Sequence, residues 1–270
     1  MPTLLCLWGD WHIGENISNL ELDGSNEYSP AIASRRVKQL VRATKRHIQK
    51  LDPVRIYVLG LGDYISGQIH AELLENGTLG VMEQTELAGH LIGSAYTEIA
   101  ESTARPVSFY GLATDNHGRT EAKPRYKGRY KSNFSYLTLK YAKSLLPPKL
   151  QKSFAILKQI SAIIRLQHAN VLVTHGDQIK SYAGLPYYGI DRFYMREMTK
   201  CYRSRRELFD YLVLGHFHSP TVLNNNIIIN GSLVGLSEFS SAKGFYSDPC
   251  QLLVLMDRDR LLQVIPLNLD

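Results

Sequence analysis

A chain of 270 residues, 44% hydrophobic and 21% charged, is long enough to bury a substantial core without cross-links and suits one large domain or at most two. Its 31 Lys and Arg against 25 Asp and Glu give a formal charge of +6, which favours an anionic partner but is too modest to name one. The three scattered cysteines, Cys6, Cys201 and Cys250, argue against a disulfide framework or thiolate metal site and fit a reducing cytoplasm. No apolar run nears the roughly 20 residues of a membrane span, and the opening residues lack the basic lead of a secretion signal.

TLLCLW (3–8) predicts a buried strand. SPAIASRRVKQLVRATKRHIQKL (29–51) predicts a helix. Ser29 can cap it, Pro30 suits its first turn, and Val37, Leu40, Val41, Ile48 and Leu51 form an apolar stripe. VRIYVLGLGD (54–63) predicts a second strand running into a Gly-rich turn, 82–103 a second helix, and VSFYGLA (107–113) a third strand. That alternation favours a layered α/β architecture. Further strands are predicted at 161–166, 170–175 and 210–216. Hairpins are predicted at 221–231, turning on Asn224 to Asn226, and at 251–267, turning on DRDR. With no repeat or linker, residues 1–270 read as one domain built around two stacked sheets. The Tyr- and Gly-rich stretch 181–198 reads either as a wall or lid over a site or as an ordinary packed loop.

The polar residues that follow the apolar runs share a chemistry. GDWH supplies Asp10 and His12, GD supplies Asp63, TDNHGR supplies Asn116 and His117, HGD supplies His175 and Asp177, and GHFH supplies His216 and His218. Taken singly, each is most simply a turn or a satisfied polar side chain; jointly, such readings do not explain why every run ends this way. Ligands of layered α/β sheets bind beyond the carboxyl ends of the strands. Extended alternation would point Asp10 with His12, and His216 with His218, the same way. Carboxylate, imidazole and amide oxygen suit Mn, Fe, Zn, Co or Ni without a soft thiolate, and two such ions form the clamp used in phosphoester cleavage. The other histidines, at 47, 70, 90 and 168, read as structural.

In this order, DWH, GD, DNH, HGD and GHFH resemble the motifs of the calcineurin-like metallophosphoesterase superfamily over residues 10–218. The resemblance implies a four-layer αββα sandwich of two mixed β-sheets flanked by helices. It also implies two divalent metal ions, with Mn expected. Asp10, His12 and His218 would hold one ion and Asn116, His175 and His216 the other, with Asp63 between them. His117 would be the catalytic acid, and Arg119 a candidate for neutralising charge on the phosphoryl oxygens. The chain departs from the pattern twice. Asp115 stands where the family has Gly, as a turn residue or an added carboxylate beside the metals. Gly118 stands where the family often has an acid behind the catalytic His, so Asp177 is the expected substitute for orienting His117.

Substrate is open between two classes. RTEAKPRYKGRYK (119–131) follows His117 and, if extended, would line Arg125, Lys127, Arg129 and their basic neighbours along one edge, with Tyr126 and Tyr130 interleaved. That favours nucleic acid; an exposed solubility loop is the plain alternative. KCYRSRR (200–206) is a second basic cluster. NHGR, 175–192 and NGS (230–232) look most like phage and prophage phosphoesterases of the DNA-repair-exonuclease type, which implies a nuclease in a bacterial cytoplasm. The competing readings are a small-molecule phosphodiesterase or phosphatase and, less favoured, a non-catalytic scaffold of the same fold. No membrane partner is expected.

Overall fold

The computed structural model describes residues 2–167, 169–181, 185–257 and 260–270, and only the backbone of Leu74. His168, the centre of the DRDR turn and part of the Tyr- and Gly-rich stretch lie outside the described residues. The strands are β1 (Thr3–Trp8), β2 (Arg55–Gly60), β3 (Val107–Leu112), β4 (Phe154–Leu157), β5 (Ser161–Arg165), β6 (Asn170–Thr174), β7 (Tyr211–Leu214), β8 (Thr221–Leu223), β9 (Ile227–Ile229), β10 (Cys250–Asp257) and β11 (Arg260–Asn268). The helices are α1 (Pro30–Leu51), α2 (Ala71–Asn76), α3 (Val81–Glu101), α4 (Phe134–Leu145), α5 (Pro148–Gln151), α6 (Tyr187–Arg203) and α7 (Glu238–Ala242).

Two mixed sheets result. One runs β11-β10-β1-β2-β3-β4, parallel from β1 to β4; the other runs β5-β6-β7-β9-β8, with β6, β7 and β9 parallel. Strand alternation sorts the side chains into three layers of core. Leu4, Cys6 and Trp8 of β1, with Ile56 and Val58 of β2, face α1, α3 and α4. Leu5, Leu7, Tyr57 and Leu59 face the opposing sheet, where Val171, Val173, Tyr211 and Val213 meet them. Leu172, Leu212 and Leu214 turn outward onto Ile190, Phe193 and Cys201 of α6. Strands covered on both faces must be apolar throughout, which is why β1 and β7 read as continuous hydrophobic runs. Each such Leu, Ile or Val contributes about 1.5–3 kcal/mol. The chain is therefore a four-layer αββα sandwich.

The segment 181–198 is mostly not a loop. From Tyr187 it is the helix α6, preceded by Pro186, which buries Ile190, Phe193, Glu197 and Cys201 along one stripe. Helix α4 was not foreseen; Asn133 caps it through Ser135 N, and it buries Thr138, Leu139 and Ala142.

Candidate metal centre

Strands β1, β2 and β3 of one sheet and β6 and β7 of the other deliver their carboxyl ends to one edge of the sandwich. Asp10, His12, Asp63, Asn116, His117, His175, His216 and His218 follow those ends, and the fold brings them together. Three groups of donor atoms each lie within 4.8 Å: Asp10, His12 and His218; His12, Asp63 and His117; Asp63, His175 and His216. Asp63 joins two of them, with Oδ2 at 3.0 Å from His175 Nε2 and 4.0 Å from His12 Nε2. His12 Nε2 faces His218 Nε2 at 3.1 Å, and Asn116 Oδ1 lies 2.9 Å from His175 Nε2. Asp10, His12, Asp63 and His175 form a buried floor; Asn116, His117, His216 and His218 form a half-buried rim.

The convergence has a different origin from strand alternation. Asp10 (φ 54°), His12 (φ 44°), Asp63 (φ 46°), His216 (φ 69°) and His218 (φ 56°) are all left-handed. They lie beyond the last strand residues, where the backbone curls back over the strand ends. Left-handed non-Gly backbone costs about 1–3 kcal/mol per residue and persists only where surrounding contacts enforce it.

Those contacts are present. The buried Gln251 side chain accepts from Gly9 N (3.0 Å) and Trp11 Nε1 (3.3 Å) and donates to the carbonyls of Gly9 (3.0 Å) and Gly231 (2.9 Å). Tyr28 donates to the Trp11 carbonyl, and the buried Arg36 of α1, stacked over the Tyr28 ring, donates to the carbonyls of Leu233 and Val234. His216 N donates to both Asp10 oxygens, at 3.0 and 3.1 Å. The loop can approach this closely because residue 215 is Gly: a Cβ there would lie 2.4 Å from Asp10 Oδ2.

The two departures from the family pattern explain each other. Asp115 is fully buried and lacks the positive φ that a Gly substitute would need. Its carboxylate accepts from Asp63 N (2.9 Å), Gly118 N (2.7 Å) and the Ser135 hydroxyl. It is turned to the backbone of the site rather than offered as a ligand. A Cβ on residue 118 would lie 2.5–2.8 Å from Asn133 Oδ1, Ser135 Oγ and Asp115 Oδ1, so the acid that the family often places there has no room. Asp115→Ala is expected to leave two buried N–H groups unpaired and to cost about 2–4 kcal/mol. Denaturant unfolding checks this, and an unchanged midpoint would contradict it.

A carbonyl can only accept, so each ring nitrogen facing one must carry the proton. His175 Nδ1 therefore donates to Leu61 O (2.9 Å) and His117 Nδ1 to Ser66 O (2.8 Å), while the Nε2 atoms face the cluster. Metal-bound histidines are commonly anchored in this way. No Lys or Arg pairs with Asp10 or Asp63 among the described residues; their partners are imidazoles and backbone N–H groups. Two buried carboxylates faced by inward-pointing imidazole nitrogens fit divalent cations.

The imidazoles divide into two kinds. Burial, then His117 and His218, holds His12 well below the ordinary range, and burial pushes His216 down to about 4. Burial acts the same way on His175 and His218 but is outweighed: Asp63 raises His175 well above its usual value, and Asp10 raises His218. In the metal-free chain both therefore bind a proton more readily than a free imidazole, and a bound cation must displace it. Affinity is expected to fall as pH drops, with net proton release on loading at pH 7. Titration calorimetry in buffers of different ionisation enthalpy measures the release; none would contradict the arrangement.

The remaining sequence candidates lie elsewhere. Asp177 does not orient His117; it pairs with Arg129, and both side chains are nearly buried (11% and 7% exposed). That pairing also removes Arg129 from any substrate-facing role. Arg119 reaches the carbonyls of Glu121 (3.0 Å) and Ala122 (3.2 Å), not the cluster. Arg125 forks onto Glu121. Lys127 and Tyr126 are exposed, but the strip is not extended: it bends and closes as a short 3-10 helix, Arg129–Ser132, so the expected alternation fails. Two neighbours of the site escaped the sequence reading. Glu15 lies 3.6 Å from His12 Nδ1, brought there by a turn in which Glu15 N donates to His12 O, and the His70 ring lies 5.3 Å from that of His117.

No protein-family model and no curated protein sequence matches the chain. Among solved structures it is similar to a single mutant of Vps29 from Entamoeba histolytica (13% identity, 99% of each chain covered, TM-score 0.37). It is also similar to Vps29 from Cryptosporidium parvum (13%, 98% of this chain and 96% of that one, TM-score 0.36). A dimetal phosphatase from Danio rerio is a third (9%, 99% of each, TM-score 0.35). At these scores neither activity nor partners carry across. Among the described residues no helix is long and apolar enough to cross a membrane.

Proposed function

We propose that the chain is a two-metal phosphodiesterase of the calcineurin-like superfamily, and within it a nuclease of the DNA-repair-exonuclease type acting in a bacterial cytoplasm. The observation that carries the chemistry is the shared position of Asp63, whose carboxylate belongs to two of the three donor groups. Asp10, His12 and His218 would hold one cation, Asn116, His175 and His216 the other, and Asp63 both. When bound, such ions lower the pKa of a bound water and screen the phosphoryl oxygens; Mn is the expected metal.

The chain's own residues supply the rest. Ser66 O accepts from His117 Nδ1 and leaves Nε2 toward the cluster; as the imidazolium, His117 would give the Nε2 proton to the departing oxygen. Asp63 Oδ1 accepts from His117 N (3.0 Å), tying the acid's backbone to the carboxylate proposed to bridge. For a polynucleotide, Lys123, Lys127 and Lys131, in the segment that follows His117 in the chain, are exposed without ion pairs among the described residues. One observation favours the second reading, a small phosphodiester substrate: Arg125 and Arg129 are already occupied by Glu121 and Asp177.

A manganese-supplemented panel of single- and double-stranded DNA, RNA, cyclic nucleotides and a chromogenic diester separates the two. The nuclease reading expects polynucleotide cleavage that weakens steeply with salt, and a further loss of about tenfold when Lys123 and Lys127 are reversed to Glu. Cleavage of cyclic nucleotides alone, indifferent to salt, would remove it.

A further inference from the structure

Helix α6 carries its charge on its outer face. Between residues 187 and 206 lie six basic side chains, Arg192, Arg196, Lys200, Arg203, Arg205 and Arg206, against Asp191 and Glu197. Glu197 is buried and holds Lys200 at 3.0 Å and Arg196 at 3.6 Å; Asp191 accepts from Asn224. Arg192, Arg203, Arg205 and Arg206 are exposed, with no ion pair among the described residues. Between the charges, Met195 and Tyr202 stand 62% and 78% exposed, and a shallow groove runs along Met195, Thr199 and Arg203. Single exposed apolar side chains need no explanation; these are interleaved with cations along one line.

The direction of that line is set by the fold. Parallel β6 and β7 flank α6, so the helix runs back against them. Its N-terminal end lies beside the loop that carries His175, and its 17 residues extend about 25 Å away from the site. Helix α1 provides the contrast. It exposes Arg35, Lys38, Arg42, Arg46 and Lys50 with no acidic residue, but no large apolar side chain stands among them. It is an ordinary solvated basic face.

We propose that the outer face of α6 is a track for single-stranded nucleic acid leading to the strand-end site; only what happens at the end of the track rests on the nuclease reading above. Arginines would meet the phosphates, and unpaired bases would stack on Tyr202 and against Met195. A duplex hides its base faces and could use only the charge. The length suits an oligonucleotide, since single-strand sites span about 4–16 nucleotides.

The test is fluorescence anisotropy in EDTA with a labelled oligothymidine and a hairpin duplex of equal length, so that binding is read apart from catalysis. Arg192→Glu with Arg203→Glu and Arg206→Glu is expected to weaken oligothymidine binding about tenfold or more. The charge-matched triple on α1, Arg35→Glu with Arg42→Glu and Arg46→Glu, should change it less than about threefold. Tyr202→Ala should weaken single-strand binding about fivefold and leave the duplex unchanged. Unaltered chromogenic-diester hydrolysis shows that the α6 variants fold. Equal losses in the two triples, indifference to Tyr202→Ala, or no binding by the parent chain would overturn the track. A parent chain that binds oligothymidine but cleaves no polynucleotide sinks the nuclease reading and leaves the track standing.

Discussion

Asp63→Asn is expected to lower metal-dependent diester hydrolysis by about 10³-fold or more, the largest effect of any single substitution in the site. The carboxylate faces His175 Nε2 at 3.0 Å and His12 Nε2 at 4.0 Å, and its other oxygen accepts from His117 N. Asparagine keeps an acceptor for that N–H, so the loop geometry survives. What disappears is the negative charge common to both donor groups. The loss should therefore appear as missing metal and missing turnover, without unfolding. Hydrolysis of bis(p-nitrophenyl) phosphate, with metal content measured on the same samples, checks this; a loss below about tenfold would contradict a bridging role.

His117→Ala should separate substrates by leaving group. A general acid contributes about 10²–10⁴-fold where the departing oxygen needs a proton. An alkyl or nucleoside ester needs one; p-nitrophenolate leaves readily without it. The variant should lose most of its activity on the alkyl ester and less than about tenfold on the nitrophenyl ester. Alanine preserves the N–H that donates to Asp63 Oδ1, so the carboxylate stays anchored. Equal losses on both substrates would make His117 a ligand or structural group instead of the acid.

The layered fold and the site's residue types were legible in the sequence because each rests on a short-range signal. Strands β1 and β7 announce themselves as apolar runs, and the polar residues that follow them are few and of one chemistry. Geometry was less legible. Strand alternation would point Asp10 and His12 the same way, yet both are left-handed, a conformation enforced by partners as distant in sequence as Gln251 and Leu233. Asp177 followed His175 closely enough to look like an orienting acid. Its side chain answers instead to Arg129, 48 positions earlier, and the carbonyl that holds His117 has no sequence signature at all. Helix α6 was obscured by its tyrosines and glycine, though Ile190, Phe193 and Cys201 mark its buried stripe.

The central claim is that residues drawn from both sheets grip a pair of cations. Anomalous diffraction from crystals grown with manganese tests it most directly. Two peaks about 3.5–4 Å apart are expected, one held by Asp10, His12 and His218, the other by Asn116, His175 and His216, with Asp63 touching both. A lone peak away from Asp63, or none, would contradict the claim.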